Sequence, residues 1–318
     1  MTETTLGDLQ ESIRDTSAFD TLDDYQIIGQ AFLNFVAETR PTRVVSPSHS
    51  NYIFFQYGKD YGHRITRPLN SDLWIESPAE FKAAFERLVA FLADLRRYQE
   101  QAAQRKGRRQ YVESREINRT IYTIQQAIGC IGDSFDNPNQ SRKRVGQLFE
   151  TLVKLIIREV GLECESRTIN IPIPDHPGYE MSYALDLVFS RNKAIVASET
   201  SFIHPSEVVG SVKTTSKDRL DKIFLDKYLM TRLLGREIPV IAIFLHDVQR
   251  AQRGTSIFGI NSTFKSNHFL GYAVALNRLD GVYYVDPRPE MLTDERLREQ
   301  IHDFQQFLVR DLWILSGE

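Results

Sequence analysis

The chain has 318 residues, of which 42% are hydrophobic and 25% charged, with 17 Gly and 12 Pro. These are the proportions of an ordinary globular protein, and they exclude collagen-like, low-complexity and staple-dependent miniature scaffolds. Lys and Arg total 39 against 42 Asp and Glu, a formal net charge of -3, so the average surface advertises no polyanionic partner, although a basic cleft on an acidic body is still compatible with nucleic acid.

At roughly one domain per 100 to 200 residues, the chain forms one large domain or two modest ones. Cys130 and Cys164 are the only cysteines, each among apolar neighbours. They read as buried thiols in a reducing compartment, with neither a disulfide framework nor a thiolate metal site. The sequence opens without a basic segment leading into an apolar one, and no apolar run approaches roughly 18 residues, so neither a secretory leader nor a membrane span is expected.

Residues 23–39 place Ile27, Ile28, Phe32, Phe35 and Val36 on a helical stripe. A segment rich in Ser, Pro, Tyr and Gly follows, predicting loops with short strands around 52–55. Ser77, Pro78 and Glu80 form an N-cap, a first-turn proline and a capping-box acid. Behind them Phe81, Phe85, Leu88, Val89, Leu92 and Leu95 continue an apolar face. This helix runs into a basic tract with Arg96, Arg97, Arg105, Lys106, Arg108 and Arg109, either a solvated helix end or a phosphate-contacting surface, broken at Gly107. A boundary near residue 115 separates a mostly helical region, 1–115, from an α/β region, 116–318.

Val145, Leu148, Phe149, Leu152, Leu155 and Ile156 give residues 141–161 a further helix, ended by Gly161. Alternation predicts strands at 168–173, 181–189 and 194–198, the last two paired across Arg191 and Asn192, and another at 208–214. A helix over 217–234 stopped by Gly235, strands at 238–245, 269–276 and 282–285, and a closing helix over about 294–312 complete an α/β arrangement around a central mixed sheet.

Several motifs are missing: a glycine-rich phosphate loop, a G-x-G-x-x-G after a strand, a nucleophile elbow and an H-E-x-x-H. The seven histidines are scattered and read as surface or structural residues. One constellation stands out. Asp186 lies in the apolar strand pattern YALDLVF, where a carboxylate is costly unless paired, hydrogen-bonded or bound to a cation. Ser211 and Lys213 share one face of a second apolar strand, so the lysine can point where the aspartate points if the strands are neighbours. The alternative is an edge lysine and a turn-facing aspartate. Carboxylates with a nearby lysine suit metal-assisted phosphodiester hydrolysis, in which Mg²⁺ is held by acids and the lysine positions water. Asp226 on the following helix and Glu150 midway along the preceding one are the further acids.

With these residues in place, the sequence resembles the PD-(D/E)XK restriction endonucleases, in the branch cutting CCGG, CCNGG or CCWGG sites. There the acid two residues before the lysine is often a serine, and a carboxylate from the next helix replaces it. SVK at 211–213 matches that element, Asp186 the upstream metal-binding aspartate, and Asp226 the displaced acid, with Asp221 as competitor. SRKRVGQLFE at 141–150 is similar to the family's basic helix start, making Glu150 its helix acid. Lys217, Asp218 and Arg219 fall where the CCNGG and CCWGG enzymes carry a basic-acidic-arginine triplet. These side chains have the chemistry to read adjacent G·C pairs, with donors for guanine O6 and N7 and an acceptor for cytosine N4.

The resemblance implies a restriction-endonuclease-like α/β core and a Mg²⁺ ion held by Asp186, Asp226 and Ser211. It also implies double-stranded DNA as substrate, a homodimer or dimer of dimers, and a prokaryotic cytoplasmic setting. A cognate DNA methyltransferase would act on the same site without being a physical partner. Because the CCNGG and CCWGG enzymes, whose sites are interrupted by central bases, resemble one another in extruding those bases, Trp74 is a candidate stacking partner, with core packing as its other reading. Other classes remain open: a non-cleaving DNA-binding protein on a degenerate nuclease fold, a repair or mobile-element nuclease, or an interaction scaffold.

Overall fold

The computed structural model describes residues 4–98, 115–191, 203–217 and 219–317. The expected strand at 194–198 and the basic residues Arg105, Lys106, Arg108 and Arg109 with Gly107 lie outside them. The chain groups into two compact units, Met1–Phe91 with Glu113–Leu152 and Asp247–Thr263, and Leu92–Val112 with Val153–His246 and Phe264–Glu318.

In the first unit, α1 (Leu6–Ser12) and α2 (Leu22–Thr39) both start on capping boxes, Thr5 with Asp8 and Thr21 with Asp24. A three-stranded antiparallel sheet follows, β1 (Thr42–Val45), β2 (Tyr52–Gln56) and β3 (Leu69–Asn70). Helix α3 (Pro78–Tyr98) begins as the sequence predicts, with the Glu80 amide donating to Ser77 Oγ at 3.3 Å. Helix α4 (Glu116–Gly132) is buried from Ile117 to Gly132 except at Arg119. The next helix, α5 (Pro138–Glu159), crosses the division between the units at Leu152.

The second unit is built on a six-stranded mixed sheet in the order β11-β10-β7-β6-β5-β4. Its strands are β4 (Glu163–Pro172), β5 (Glu180–Ser190), β6 (Val208–Thr215), β7 (Val240–His246), β10 (Gly281–Tyr284) and β11 (Ile301–Asp303). β4, β5 and β6 pair antiparallel, whereas β6, β7, β10 and β11 are parallel. Fully buried β7 reads VIAIFLH, the near-continuous apolar run expected of a strand covered on both faces. Helix α6 (Leu220–Leu234) lays Leu220, Ile223, Phe224 and Met230 on one face of the sheet and ends at Gly235, with φ +64. The other face is met by a closing helical stretch in three pieces, Phe304–Gln306, Phe307–Asp311 and Leu312–Leu315, whose Phe307 packs on Phe189 and Tyr283. The first unit also holds the hairpin β8 (Val248–Arg253) and β9 (Ser256–Ser262).

Two predicted elements are corrected. The segment 269–276 is not a strand: it belongs to helix α7 (Ser266–Ala275), because Phe269, Tyr272, Ala273 and Leu276 meet the core at helical spacing. The closing helix does not run unbroken from 294. Residues 294–300 form turns, Ile301–Asp303 pairs with β10 as the sheet's edge strand, and helix starts only at Phe304. Among the described residues no helix is long and apolar enough to cross a membrane.

Candidate active site

β5 and β6 pair with Leu187 opposite Gly210, which sets Asp186 beside Ser211 on the neighbouring strand. The other flank of β5 is irregular. Arg167 of β4 opposes Leu185 and Glu165 opposes Val188, so Asp186 and Leu187 together face Ser166 alone. This is a β-bulge, which breaks strict alternation and re-aims a side chain. Alternation from buried Tyr183 and Leu185 would send Asp186 to the opposite face of the sheet. The bulge instead turns it into the row of Val209, Ser211 and Lys213. Ser166 Oγ donates to the Asp186 carbonyl at 2.8 Å. Arg167, only 8% exposed at its side chain, pairs with Glu207 at 2.6 Å and Glu165 at 3.2 Å, tying both sides of the bulge to the start of β6.

Three donors converge on Asp186 Oδ2: Ser211 Oγ at 3.0 Å, the Val212 amide at 2.9 Å and Lys213 Nζ at 2.6 Å. They compensate the hydration the carboxylate loses in the sheet. The pair stays partly open, with side chains 16% exposed for Asp186 and 29% for Lys213. Val212 between them is buried against β7, so the alternation read from the sequence holds in β6.

Helix α6 supplies the rest. Ile223 and Met230 seat it on the sheet, and Asp226 between them looks into the same cleft, held by Lys222 Nζ at 2.5 Å. Burial, with the Asp226 carboxylate as a second cause, raises the Tyr183 phenol above its ordinary range. Next to Asp226, the buried Lys227 ammonium bonds Asp280 at 2.7 Å, and that carboxylate accepts from the Val240 amide at 2.7 Å. The helix is thereby fixed to the start of β7.

The result is a cleft of about 240 Å³ whose polar lining is Asp186, Ser211, Lys213, Arg219, Lys222 and Asp226. Two carboxylates against three cations suit a phosphate together with a hard cation. Mg²⁺ is commonly held by one or two carboxylates with waters and substrate phosphates, and Asp186 and Asp226 fit that pattern. Among the described residues no cluster of three or more His, Cys, Asp or Glu is arranged to cage a metal.

The remaining expected residues are distributed differently. Glu150 is half-buried on α5 within the first unit and is not among the residues lining the cleft. Lys217 and Arg219 are exposed in the turn entering α6, and Arg219 also lines the cleft; Asp218 lies outside the described residues. Asp221 is exposed and does not line the cleft. Trp74 is corrected. It is 3% exposed and packs edge-on against Phe32 at 6.3 Å, so its ring belongs to the first unit's core and offers no open face to a base. Sequence reasoning missed Ser166, Arg167, Glu207 and Lys227. Their roles arise from a bulge and from pairings far apart in the chain, which a single sequence does not signal.

No family model and no curated protein matches the chain. Among solved structures it is similar to the Type IIP restriction endonuclease Kpn2I, with a TM-score of 0.68 and 18% identity over 97% of each chain. A complex of restriction endonuclease PspGI with substrate DNA is matched at a TM-score of 0.39 and 12% identity, over 74% of this chain and 91% of that one. The mixed sheet flanked by helices is thus a restriction-endonuclease-like fold.

Proposed function

We propose that this protein is a Mg²⁺-dependent type II restriction endonuclease that cuts double-stranded DNA at a palindrome with a CC…GG core, of the interrupted CCNGG-like form. The observation that carries the reading is the contact of Lys213 with Asp186 across two strands, in a cleft shared with Asp226. The fold shared with Kpn2I supports it.

In this reading Asp186 and Asp226 would hold the cation, with the backbone carbonyl of Ser211. Bound there, Mg²⁺ offsets charge on the scissile phosphate and makes water a better nucleophile. Lys213 Nζ orients the attacking water. Its oxygen bonds to phosphorus as the P–O3′ bond breaks, leaving a 5′-phosphate and a protonated 3′-hydroxyl. Lys222, lining the cleft, offsets the negative charge that accumulates on the phosphorane. Lys217, Asp218 and Arg219 read the core pairs. A palindromic site calls for a two-fold homodimer, or a dimer of dimers, presenting two such clefts. Residues 1–115 would serve DNA binding and dimerisation and 116–318 the nuclease, in a prokaryotic cytoplasm where a methyltransferase protects the same site.

Purified protein incubated with long unmethylated duplex, in Mg²⁺ or in chelator, followed by sequencing of every fragment end, tests this. The expected outcome is discrete Mg²⁺-dependent ends sharing one palindrome with a CC…GG core. Site-specific binding without cleavage would make the protein a degenerate binder, and cuts without a shared sequence would point to a repair or mobile-element nuclease.

A further inference from the structure

Between Asp247 and Asp280 the sequence has no carboxylate side chain, yet it carries Arg250, Arg253, Lys265 and Arg278. In a chain of net charge -3 this is a local reversal of sign. The first part of the stretch is the β8–β9 hairpin, and its base is anchored. Val248 and Ile260 are buried in a cluster with Tyr52 and Phe54, and Phe258 meets Phe54 edge-on at 5.6 Å. The strands turn through Gly254 and Thr255, with Gly254 at φ +57, as the first central position of a two-residue hairpin loop requires.

The register determines what the ribbon presents. Gln249 opposes Asn261 and Ala251 opposes Gly259, and directly opposed residues share a face. Both carboxamides therefore stand on the face opposite the Val248 and Ile260 anchor, beside a centre with almost no side-chain bulk. Arg253 lies across that centre: a Cβ on Gly259 would come within 2.3 Å of Arg253 Cγ. The Arg253 guanidinium donates to Asn261 Oδ1 and to the Ile260 carbonyl. Arg250 is exposed and makes no ion pair among the described residues.

A carboxylate-free, two-stranded ribbon bearing two amides and a braced guanidinium is suited to DNA. The major groove, about 12 Å wide, admits such a ribbon; Gln and Asn pair with adenine N6 and N7, and Arg with guanine O6 and N7. We propose that the β8–β9 hairpin is a second DNA-reading element. Gln249, Asn261 and Arg253 face base edges beyond those assigned to Lys217, Asp218 and Arg219. This inference rests on the reading of the protein as a DNA endonuclease.

Thr255→Cys at the exposed tip tests it, because Cys130 and Cys164 are buried and a photo-crosslinker is directed to the new thiol. The labelled protein is irradiated in chelator with a duplex carrying the site recovered from fragment ends. Crosslinks at fixed nucleotides in or flanking that site support the proposal. In parallel, Arg253→Ala should weaken binding about five- to hundredfold and relax the preference at one base pair. Absence of crosslinks, with binding and base preference unchanged in Arg253→Ala while the wild type still cuts, overturns the hairpin's role alone. A wild type that binds no duplex overturns the endonuclease reading as well.

Discussion

Helix α4 and the strand pair β5–β6 both set polar residues among apolar ones, with opposite results. In α4 the residues Asn118, Thr120, Thr123, Gln125 and Gln126 are all 0% exposed. Several of them, with Tyr122, serve as partners for backbone of neighbouring segments. The Ile75 amide donates to Thr123 Oγ1 at 3.0 Å, the Asn70 amide to Tyr122 O–H at 2.7 Å, and Gln125 Nε2 to the Val145 carbonyl at 2.9 Å. In β5–β6 the polar groups are charged and stay open to a cleft. Enclosed neutral groups supply hydrogen bonds to the backbone of a core, where an unmade bond is costly. A half-open ion pair adds little stability because water screens it, and it remains available to a ligand.

The largest effect expected from this contrast is at Asp186. Asp186→Asn should lower the cleavage rate by about 10³-fold or more, by removing a cation ligand and the Lys213 partner, while the melting temperature moves little. Lys213→Met should do the same and retain site-specific binding. Single-turnover cleavage beside thermal unfolding separates the two readouts, and a large loss of stability with either variant would break the contrast. At Asp226 the effect is smaller. Asp226→Asn should cost about 10²-fold in rate, within the range mutagenesis finds for one electrostatic group. Asp221→Asn, outside the cleft, should cut within about twofold of wild type, since exposed surface changes rarely matter. Equal losses at both positions would assign the displaced acid wrongly.

Tyr122→Phe should act in the reverse sense. It leaves the Asn70 amide and Gln126 Nε2 without their shared acceptor, a loss of about 1–3 kcal/mol in a buried site. Chemical denaturation should read that loss, with the cleavage rate of the folded protein unchanged.

The same contrast explains what the sequence disclosed. Ser211 and Lys213 could be placed on one face because β6 keeps its period, and the α5 and α6 stripes follow simple amphipathic spacing. Asp186 was singled out by its cost in an apolar strand, although the feature that aims it, the bulge opposite Ser166, leaves no mark in YALDLVF. Helix α4 escaped notice because its polar residues sit on buried faces and its Ile and Thr content resembles a strand, so no polar stripe outlines it. Residues 269–276 misled for the related reason that a short helix with few polar residues has no clear period. The Lys227 and Asp280 pair, 53 residues apart, is a product of topology alone.

The smallest expected signal comes from the cysteines, and it follows the two regions separately. Cys130 belongs to α4 and Cys164 to β4. Burial pushes the Cys130 thiol up, and the Cys164 thiol up to about 12. Since the thiolate is the reactive form, both should resist Ellman's reagent at neutral pH in the native protein and react only through opening of the surrounding structure. Labelling rates followed by peptide mass spectrometry therefore report each region's opening. Tyr122→Phe should speed labelling of Cys130 more than of Cys164, because the donors it strands lie around α4. Asp186→Asn should leave both rates near wild type, because the carboxylate it neutralises serves the cleft and not the core. If instead Asp186→Asn released Cys164, the ion pair would be holding the sheet together, and the division between a structural and a chemical polar cluster would fail.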